Sequence, residues 1–233
     1  MQTTSALYKS ILAAEPHWFE VKLNISGVGD ITEDQIFSIR TSEKMFDQIP
    51  AVGKAVSAEI DARLLRQNTE IPKMAEIKPY VRAVNATQQS EWLQQGVFFV
   101  DTREVTQNGD GLDVVHLHGF DAMLKTEQPY ADTSLAFPAL DTDIVDEIAG
   151  KIGVTVDART YTLMTHGYTF PLPTGYSLRE YLSYIASAYV GCFIITETGE
   201  LRLVSLTELP PETNYLITAA GEPITFGGDR ILV

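Results

Sequence analysis

Hydrophobic and polar residues alternate along much of the first half of the chain. Between Trp18 and Ser26 the odd positions from 19 to 25 are apolar and the even positions are polar, which is typical of a half-buried strand. The same reasoning predicts five further strands in this half: Ile36–Thr41, Lys54–Leu65, Ile77–Val84, Phe98–Thr106 and Leu112–Leu117. Many short strands separated by turns predict a barrel-like or sandwich-like domain.

Turn and cap residues support this interpretation of the first half. The last two strands flank the sequence QNGDG, whose Asn-Gly and Asp-Gly pairs tolerate the positive φ of a tight hairpin turn. A short amphipathic helix is predicted before the first strand, at Ser5–Ala14, with Ser5 as its N-cap. Residues 1–128 are therefore predicted to form a β-rich, barrel-like domain with a short N-terminal helix.

Helical spacing replaces alternation beyond Pro129. Isoleucines recur at positions 144, 148 and 152, which predicts one helix face. Thr142 or Asp143 is expected to cap the start of this helix, and Gly153 fits the position just past its end.

A second helix is predicted after Gly175, where Ser177 and Glu180 have the spacing of a capping box. Its apolar stripe consists of Leu178, Leu182, Ile185, Ala186 and Tyr189. Gly191 ends the helix, and two strands, Phe193–Thr196 and Leu201–Val204, follow around the turn ETGE. Residues 129–209 are thus predicted to form a smaller α/β domain with two helices packed on one sheet face, which makes the fold class α+β. Residues 210–233 are expected to form strands that close this domain or begin a second barrel.

Charge and composition restrict the classes of partner. The chain of 233 residues carries a formal net charge of −14, which opposes binding to nucleic-acid phosphates and to anionic lipid headgroups. Its single cysteine, Cys192, cannot form an internal disulfide. No apolar run approaches the roughly 20 residues of a membrane span, so membrane insertion is not expected. No cofactor is expected either, because the sequence lacks both the phosphate-binding loop motif and the dinucleotide-binding glycine motif.

The strongest candidate for chemistry is the segment DVVHLHGFD, which contains Asp113, His116, His118 and Asp121. His-x-His on a strand places both imidazoles on one face, a spacing that some metal sites use. Two histidines do not fill a coordination shell, however, and the same pattern fits the polar face of a strand. We therefore predict no metal site.

Other candidate groups lack a recognisable catalytic context. His17 and His166 have no partner pattern, and Cys192 lies at a predicted strand start, where a thiol is buried and inert. There is no Gly-x-Ser-x-Gly motif. The 31 acidic residues leave a paired-carboxylate glycosidase site open but mark no pair. Six aromatic residues would suit either a sugar-stacking platform or the core: Tyr80, Trp92, Phe98, Phe99, Tyr168 and Phe170. No catalytic residue is assigned, and the chain is not expected to be an enzyme.

Seven stretches in order carry a resemblance to a known family. They are SALYKSILAAEPHWFEVKLNISG, ITEDQIFSIRTSEKMFD, VGKAVSAEIDARLL, IPKMAEIKPYVR, WLQQGVFFVDTRE, LHGFDAMLKTEQPY and YSLREYLSYIASAYVGCFIITETGELRLV. Together they resemble the baseplate hub (tail-tip hub) proteins of tailed phages and prophages of Gram-positive bacteria. The resemblance covers nearly the whole chain and rests on the order of short motifs.

This resemblance implies a structural role in the virion tail. It implies a ring, usually a trimer, that adapts the end of the tail tube to the tip and contacts tube, distal tail or tip proteins. Hubs of this family carry a second β-barrel after the α/β part, to which residues 210–233 would correspond in part. The alternative is a host-surface module of the same tail, either a glycan-binding domain or a cell-wall-degrading enzyme.

Overall fold

The first half of the chain forms an antiparallel sheet of eight strands. The computed structural model describes residues 4–43, 51–67, 69–107, 111, 113–206, 225–226 and 229–230. The strands of this half are β1 His17–Ile25, β2 Gly29–Thr32, β3 Ile36–Ser42, β4 Lys54–Ala55, β5 Glu59–Leu65, β6 Glu76–Asn85, β7 Leu93–Gln94, β8 Phe98–Gln107 and β9 Asp113–Asp121. Their order in the sheet is β2-β1-β6-β8-β9-β5-β3, with β7 paired to β6, whereas β4 belongs to a different sheet.

Alternation along each strand explains which face of this sheet is buried. In β5 the side chains of Ile60, Ala62 and Leu64 are fully buried, whereas Glu59 and Arg63 face solvent. The buried positions of β1, β5, β6, β8 and β9 meet in one hydrophobic cluster. The period-2 pattern therefore predicted the inward face of β5 correctly, whereas in β1 only Leu23 and Ile25 of the predicted apolar face are buried and Phe19 is 46% exposed.

The sheet does not close on itself within the described residues. Its two edges are β2 and β3, which are connected through a 3₁₀ helix at Glu33–Gln35 but are not paired with each other. Helix α1, Ala6–Ala13, precedes the sheet, and the hydroxyl of Ser5 accepts a hydrogen bond from the Tyr8 amide at 3.0 Å as its N-cap. The prediction of a β-rich first half with a short N-terminal helix is confirmed, whereas a barrel is not found.

The second half combines three α-helices with a small sheet. Its elements are a 3₁₀ helix Ala122–Glu127, β10 Ala139–Leu140, α2 Asp141–Ile152, α3 Ala158–Leu163, β11 Thr169–Phe170, α4 Leu178–Ala188, β12 Gly191–Ile195 and β13 Leu201–Ser205. Strands β13, β12 and β4 form one sheet, in which β4 is parallel to β12. Helix α4 packs on β4 and β12, α3 packs on β13, and α2 packs against α4.

A second hydrophobic cluster lies between these helices and the small sheet. It contains buried residues of α2, α4, β12 and β13, together with Ala55, Ala122 and Met123 from the first half of the chain. The boundary at residues 128 and 129 remains a prediction. Two elements of the first half belong to this second cluster or its sheet. Strand β4 pairs with β12, and the 3₁₀ helix Ala122–Glu127 contributes Ala122 and Met123.

Three sequence predictions need correction. The strand predicted at Lys54–Leu65 is two strands, because residues 56–58 cross from the small sheet to the large one. Helix α3 was not predicted, since its six residues show no helical periodicity. Helix α2 begins at Asp141 with Leu140 at the N-cap, so neither Thr142 nor Asp143 caps it.

Two helix-end predictions are confirmed. Gly153 follows α2 with a φ of 76°, the left-handed conformation that glycine tolerates best. Ser177 and Glu180 form the predicted capping box at the start of α4.

Parts of two predictions lie outside the described residues. They are positions 108–110 of the QNGDG turn with residue 112, and most of residues 210–233. Within the latter, β14 Thr225–Phe226 and β15 Asp229–Arg230 pair antiparallel. No helix in the described part of the chain is long and apolar enough to span a membrane.

Candidate functional site

The two histidines of DVVHLHGFD lie on the solvent-facing side of β9. His116 Nε2 is 2.7 Å from Asp61 Oδ2 on the neighbouring strand β5. The ring of His118 contacts Phe120 edge-on, with 4.8 Å between ring centroids. The two histidine rings therefore contact different residues, His116 an aspartate and His118 a phenylalanine.

The two aspartates of the same segment lie elsewhere. Asp113, at the start of β9, accepts a hydrogen bond from Arg66 Nη1 at 2.8 Å on the surface. Asp121, at the end of β9, points to the buried side of the sheet and is only 3% exposed. No group of three or more histidine, cysteine, aspartate or glutamate side chains in the described residues is placed to hold a metal ion. The structure thus does not bring the four residues together.

Asp121 is instead a buried connection between the two halves of the chain. Its Oδ1 accepts hydrogen bonds from the Ser57 hydroxyl and the Met123 amide, each at 2.9 Å, and its Oδ2 accepts one from the Ala58 amide at 2.8 Å. Burial raises the pKa of this carboxyl to about 6, although its three hydrogen bonds act in the opposite direction. One side chain thereby holds together the crossing segment, the end of β9 and the following 3₁₀ helix.

Two other buried aspartates also begin helices. Asp141, the first residue of α2, accepts hydrogen bonds from the Thr142 amide at 2.8 Å and from the Tyr189 hydroxyl. Burial, together with this bond to Asp141, raises the pKa of Tyr189. Asp157 caps α3 by accepting the Arg159 amide at 2.8 Å. Carboxylates are favourable at helix N-termini, so these residues have a structural role that needs no catalytic explanation.

Asp157 is additionally paired with a cation. The Arg159 guanidinium donates from Nε to Oδ1 at 2.9 Å and from Nη2 to Oδ2. This hydrogen bonding lowers the pKa of Asp157 to about 2, against the opposing effect of burial. Glu147 of α2 accepts hydrogen bonds from the hydroxyls of Tyr130 and Thr133. These bonds hold the segment before β10 against that helix.

The remaining histidines and the cysteine have non-catalytic surroundings. His17 Nδ1 is 2.9 Å from the Ala14 carbonyl oxygen. His166 contacts both Tyr168 and Tyr189, with centroid distances of 5.2 and 5.9 Å, and the three rings form one cluster. Cys192 is fully buried in β12, and its Sγ lies 3.5 Å from the Ala51 carbonyl oxygen. A nucleophilic thiol requires exposure, and this one is buried.

Three of the four acidic residues along the surface depressions are paired with basic ones, whereas Glu200 accepts a hydrogen bond from the Thr198 hydroxyl at 3.0 Å. Beside the end of the β8–β9 hairpin, Glu70 bonds to Arg103 and Asp113 bonds to Arg66. Between the two halves, Glu76 pairs with Lys78 at 2.6 Å. A glycosidase requires two carboxylates facing each other across a cleft, and these pairs do not provide that arrangement.

The six aromatic residues singled out in the sequence do not form one platform. Phe98 and Phe170 are buried, and Phe99 lies under the Lys125 ammonium group, 3.7 Å from its ring centroid. Trp92 stacks against the Arg82 guanidinium at 4.4 Å. The sequence interpretation as core and interface residues therefore fits better than a sugar platform built from this set.

A different aromatic surface lies beside α4, and sequence reasoning missed it. We call it the aromatic face, and its residues are the exposed Tyr176 and Tyr184 together with the buried rings of Phe170 and Tyr181 that they contact. Tyr184 is 56% and Tyr176 51% exposed, although both are large aromatic residues. Ring contacts connect the face, since Tyr184 lies 5.6 Å from Phe170 and 6.3 Å from Tyr181. The signal in the sequence was the run of residues 160–178, which contains no aspartate, glutamate, lysine or arginine.

The fold is similar to that of a solved phage protein. The 43 kDa tail protein of prophage MuSo2 from Shewanella oneidensis matches with a TM-score of 0.55 and 12% identity. The match covers 80% of this chain and 53% of that protein, so the chain spans about half the length of the tail protein. The chain shares the fold of a prophage tail protein.

Two other solved structures match this tail-protein fold more weakly. They are the tail protein from Neisseria meningitidis MC58, at a TM-score of 0.47 and 13% identity, and the Francisella PdpA–VgrG complex, at 0.46 and 8%. The matches cover 79% and 80% of this chain and 51% and 31% of the other chains. The likeness to the MuSo2 protein supports a tail-protein fold and not the Gram-positive hub type that the sequence resemblance implied. No protein-family model and no curated protein matches the sequence.

Proposed function

We propose that this chain is a structural component of a phage or prophage tail and forms the hub or adaptor ring at the tail tip or baseplate. The observation that carries the proposal is the fold shared with the MuSo2 tail protein over 80% of the chain. Fold alone does not establish function, so the surroundings of the candidate chemical groups matter equally. Those groups serve structure, which supports a role without enzymatic activity or a cofactor.

The arrangement of the two halves suits a ring component. In this proposal the large sheet is the barrel-like part that lines the ring, and the α/β half lies at its periphery. Three copies surround a central channel and contact the tube, distal tail or tip proteins. The protein is then located in the virion tail after synthesis in the host cytoplasm. It binds neither nucleic acid nor membrane, consistent with its net charge of −14.

The alternative function is a host-surface module that binds or degrades cell-wall glycans. The exposed tyrosines of the aromatic face are the observation in its favour, because aromatic rings stack on sugars. The degrading version has less support, since three of the four acidic residues along the depressions, Glu70, Glu76 and Asp113, are paired with cations.

Locating the chain in assembled particles tests the proposal. An epitope tag would be introduced at the N-terminus, and purified tails would be imaged by electron microscopy after labelling with a tag-specific antibody. The label should lie at the tail tip, and particles made without this chain should lack a normal tip. Because hub rings can form only on the growing tail, a monomer in dilute solution does not decide the question.

Two results would reject the structural proposal. One is absence of the label from the tail tip in particles that contain their other tail proteins. The other is turnover of a cell-wall glycan by the purified chain, which would put the host-surface module in its place.

A further inference from the structure

An open cavity lies where the segment after α3 passes the C-terminal end of α4. Its volume is about 310 Å³, and its walls include Thr162, Thr165, His166, Tyr189 and Val190. Small-molecule sites in proteins begin at about 300 Å³. None of the described residues that line the cavity is an aspartate, glutamate, lysine or arginine. The cavity therefore suits a small ligand without a formal charge, because its walls offer no counter-ion.

Aromatic rings form one side of this cavity. The ring centroid of His166 lies 5.9 Å from that of Tyr189 and 5.2 Å from that of Tyr168, and the two tyrosine rings are 5.3 Å apart. The Tyr189 hydroxyl donates to the carboxylate of Asp141, which is fully buried, so this bond fixes the orientation of the ring. His166 lines the cavity and is exposed, so part of its ring surface is open to a ligand.

Two polar side chains of the cavity are available for hydrogen bonding. Within the part of the chain that the structure describes, neither a ring nitrogen of His166 nor the hydroxyl of Thr165 has a hydrogen-bond partner. A neutral imidazole offers one donor and one acceptor, and a hydroxyl offers both. Ligand sites combine an apolar wall with a few polar groups that converge on the ligand, and this cavity has both parts.

Val190, at the rim of the cavity, has a backbone conformation that valine rarely adopts. Its φ of 50° lies in the left-handed region, where glycine is the usual residue after a helix. Its amide donates to the Ser187 carbonyl oxygen at 3.3 Å, and its carbonyl oxygen accepts from the Leu206 amide at 3.0 Å. The side chain is 42% exposed, so deep burial does not explain the presence of valine. Strained residues cluster at ligand sites, and this one borders the cavity.

We propose that this cavity binds an uncharged hexose unit of a host-surface glycan. The inference goes beyond the proposed structural role and rests on it only for the source of the ligand, since a tail tip meets the host surface. A hexose has C–H faces that pack on aromatic rings and hydroxyls that can bond to His166 and Thr165.

Charge distinguishes a neutral sugar from an anionic ligand. No cation from the described residues lines the cavity, and the net charge of −14 repels phosphate-bearing ligands. The described walls also contain no carboxylate, whereas glycoside hydrolysis ordinarily requires two. The sugar is therefore expected to bind without being cleaved, in agreement with a role that is not enzymatic.

Ligand-observed NMR tests the inference. Saturation-transfer difference spectra of the full chain would be recorded with glucose, galactose and N-acetylglucosamine as separate probes, each at about 1 to 10 mM. At least one probe should receive saturation, most strongly at its ring C–H protons. His166→Ala should weaken binding by about fivefold or more, because it removes a ring of the wall and its two nitrogens. Tyr184→Ala removes a ring that is 56% exposed on the aromatic face, and this control should bind like the wild type.

Two further variants separate binding from folding. Thr165→Val keeps the shape of the side chain and removes its hydroxyl, so binding should weaken while the circular dichroism spectrum stays unchanged. Val190→Gly relieves the strained backbone, so the unfolding free energy should rise. The same variant should bind the sugar more weakly, because the rim loses its side chain. A residue with a purely structural role would change stability alone.

Four results would overturn the inference. They are no saturation transfer to any of the three probes, binding that His166→Ala leaves unchanged, binding that Tyr184→Ala abolishes, and stronger binding of glucose 6-phosphate than of glucose. Abolition by Tyr184→Ala would move the sugar site to the aromatic face. None of these results affects the position of the labelled chain in assembled tails, so the proposed function is tested separately.

Discussion

The protonation of Asp121 offers the sharpest test of the structural reasoning, because burial and hydrogen bonding act on it in opposite directions. Burial raises its pKa from 3.8 to about 6. The folded state then holds the proton more tightly than the unfolded chain, so its stabilising contribution is full below pH 3.8 and is lost as pH rises through 6. A pKa difference of this size is worth about 2 to 3 kcal/mol of unfolding free energy between pH 4 and pH 7.

Asp121→Asn removes this dependence on pH. The asparagine Oδ1 can keep the Ser57 and Met123 bonds, but its amide group would face the Ala58 amide, donor against donor. That loss should cost about 1 to 3 kcal/mol at every pH. The unfolding free energy of the wild type should therefore exceed that of the variant most at pH 4. This difference in unfolding free energy should narrow by about 2 to 3 kcal/mol by pH 7.

Urea unfolding at micromolar protein concentration, followed by tryptophan fluorescence at several pH values, measures this gap. As a control, Asp113→Asn removes an exposed carboxylate from the same strand and should change stability by less than about 1 kcal/mol. A gap that stays constant, or that widens as pH rises, would show that the three hydrogen bonds outweigh burial and would refute the reasoning.

Three further predictions concern helix α4, Asp157 and the histidines. Ser177→Ala should destabilise the protein by about 1 kcal/mol, whereas Leu182→Ala or Ile185→Ala should cost about 2 to 5 kcal/mol in urea unfolding, since both side chains are fully buried. Asp157, with a pKa lowered to about 2, stabilises the fold above about pH 4 and loses this effect as pH falls to 2, so Asp157→Asn should remove about 2 kcal/mol of acid-sensitive stability. Protein purified without chelator should contain no stoichiometric zinc or iron by elemental analysis, and His118→Ala should leave this unchanged.

Each of these predictions has a clear contradiction. If Ser177→Ala, Leu182→Ala and Ile185→Ala all change the unfolding free energy equally and negligibly, the apolar stripe of α4 is not buried in the monomer. Asp143→Asn, at an exposed position in the first turn of α2, is the control for Asp157. It should leave the loss of stability between about pH 4 and pH 2 unchanged. Stoichiometric metal that is lost on His118→Ala would establish the metal site that we predict to be absent.

Local sequence patterns decided the elements that depend on neighbouring residues. The alternation around Glu59–Leu65 and the capping box at Ser177 each need only a few consecutive residues, and both were predicted correctly. Helix α3 was missed because six residues are too few to show a period, and its start depends on Asp157 pairing with Arg159.

Tertiary structure alone decided how the halves join and which candidates meet. The sequence marked His116, His118 and Asp121 as one candidate segment but ended its predicted strand at Leu117. In the structure the strand runs on to Asp121, and the pleat sends Asp121 to the face opposite the histidines, where it binds Ala58 from 63 residues earlier. The strand at Ala55 joins the small sheet by pairing with β12, a contact across 138 residues that no local pattern contains. The aromatic face likewise combines Phe170 of β11 with Tyr184 of α4. Local periodicity reports which face of an element is apolar, whereas its partner is chosen by packing between residues far apart in the chain.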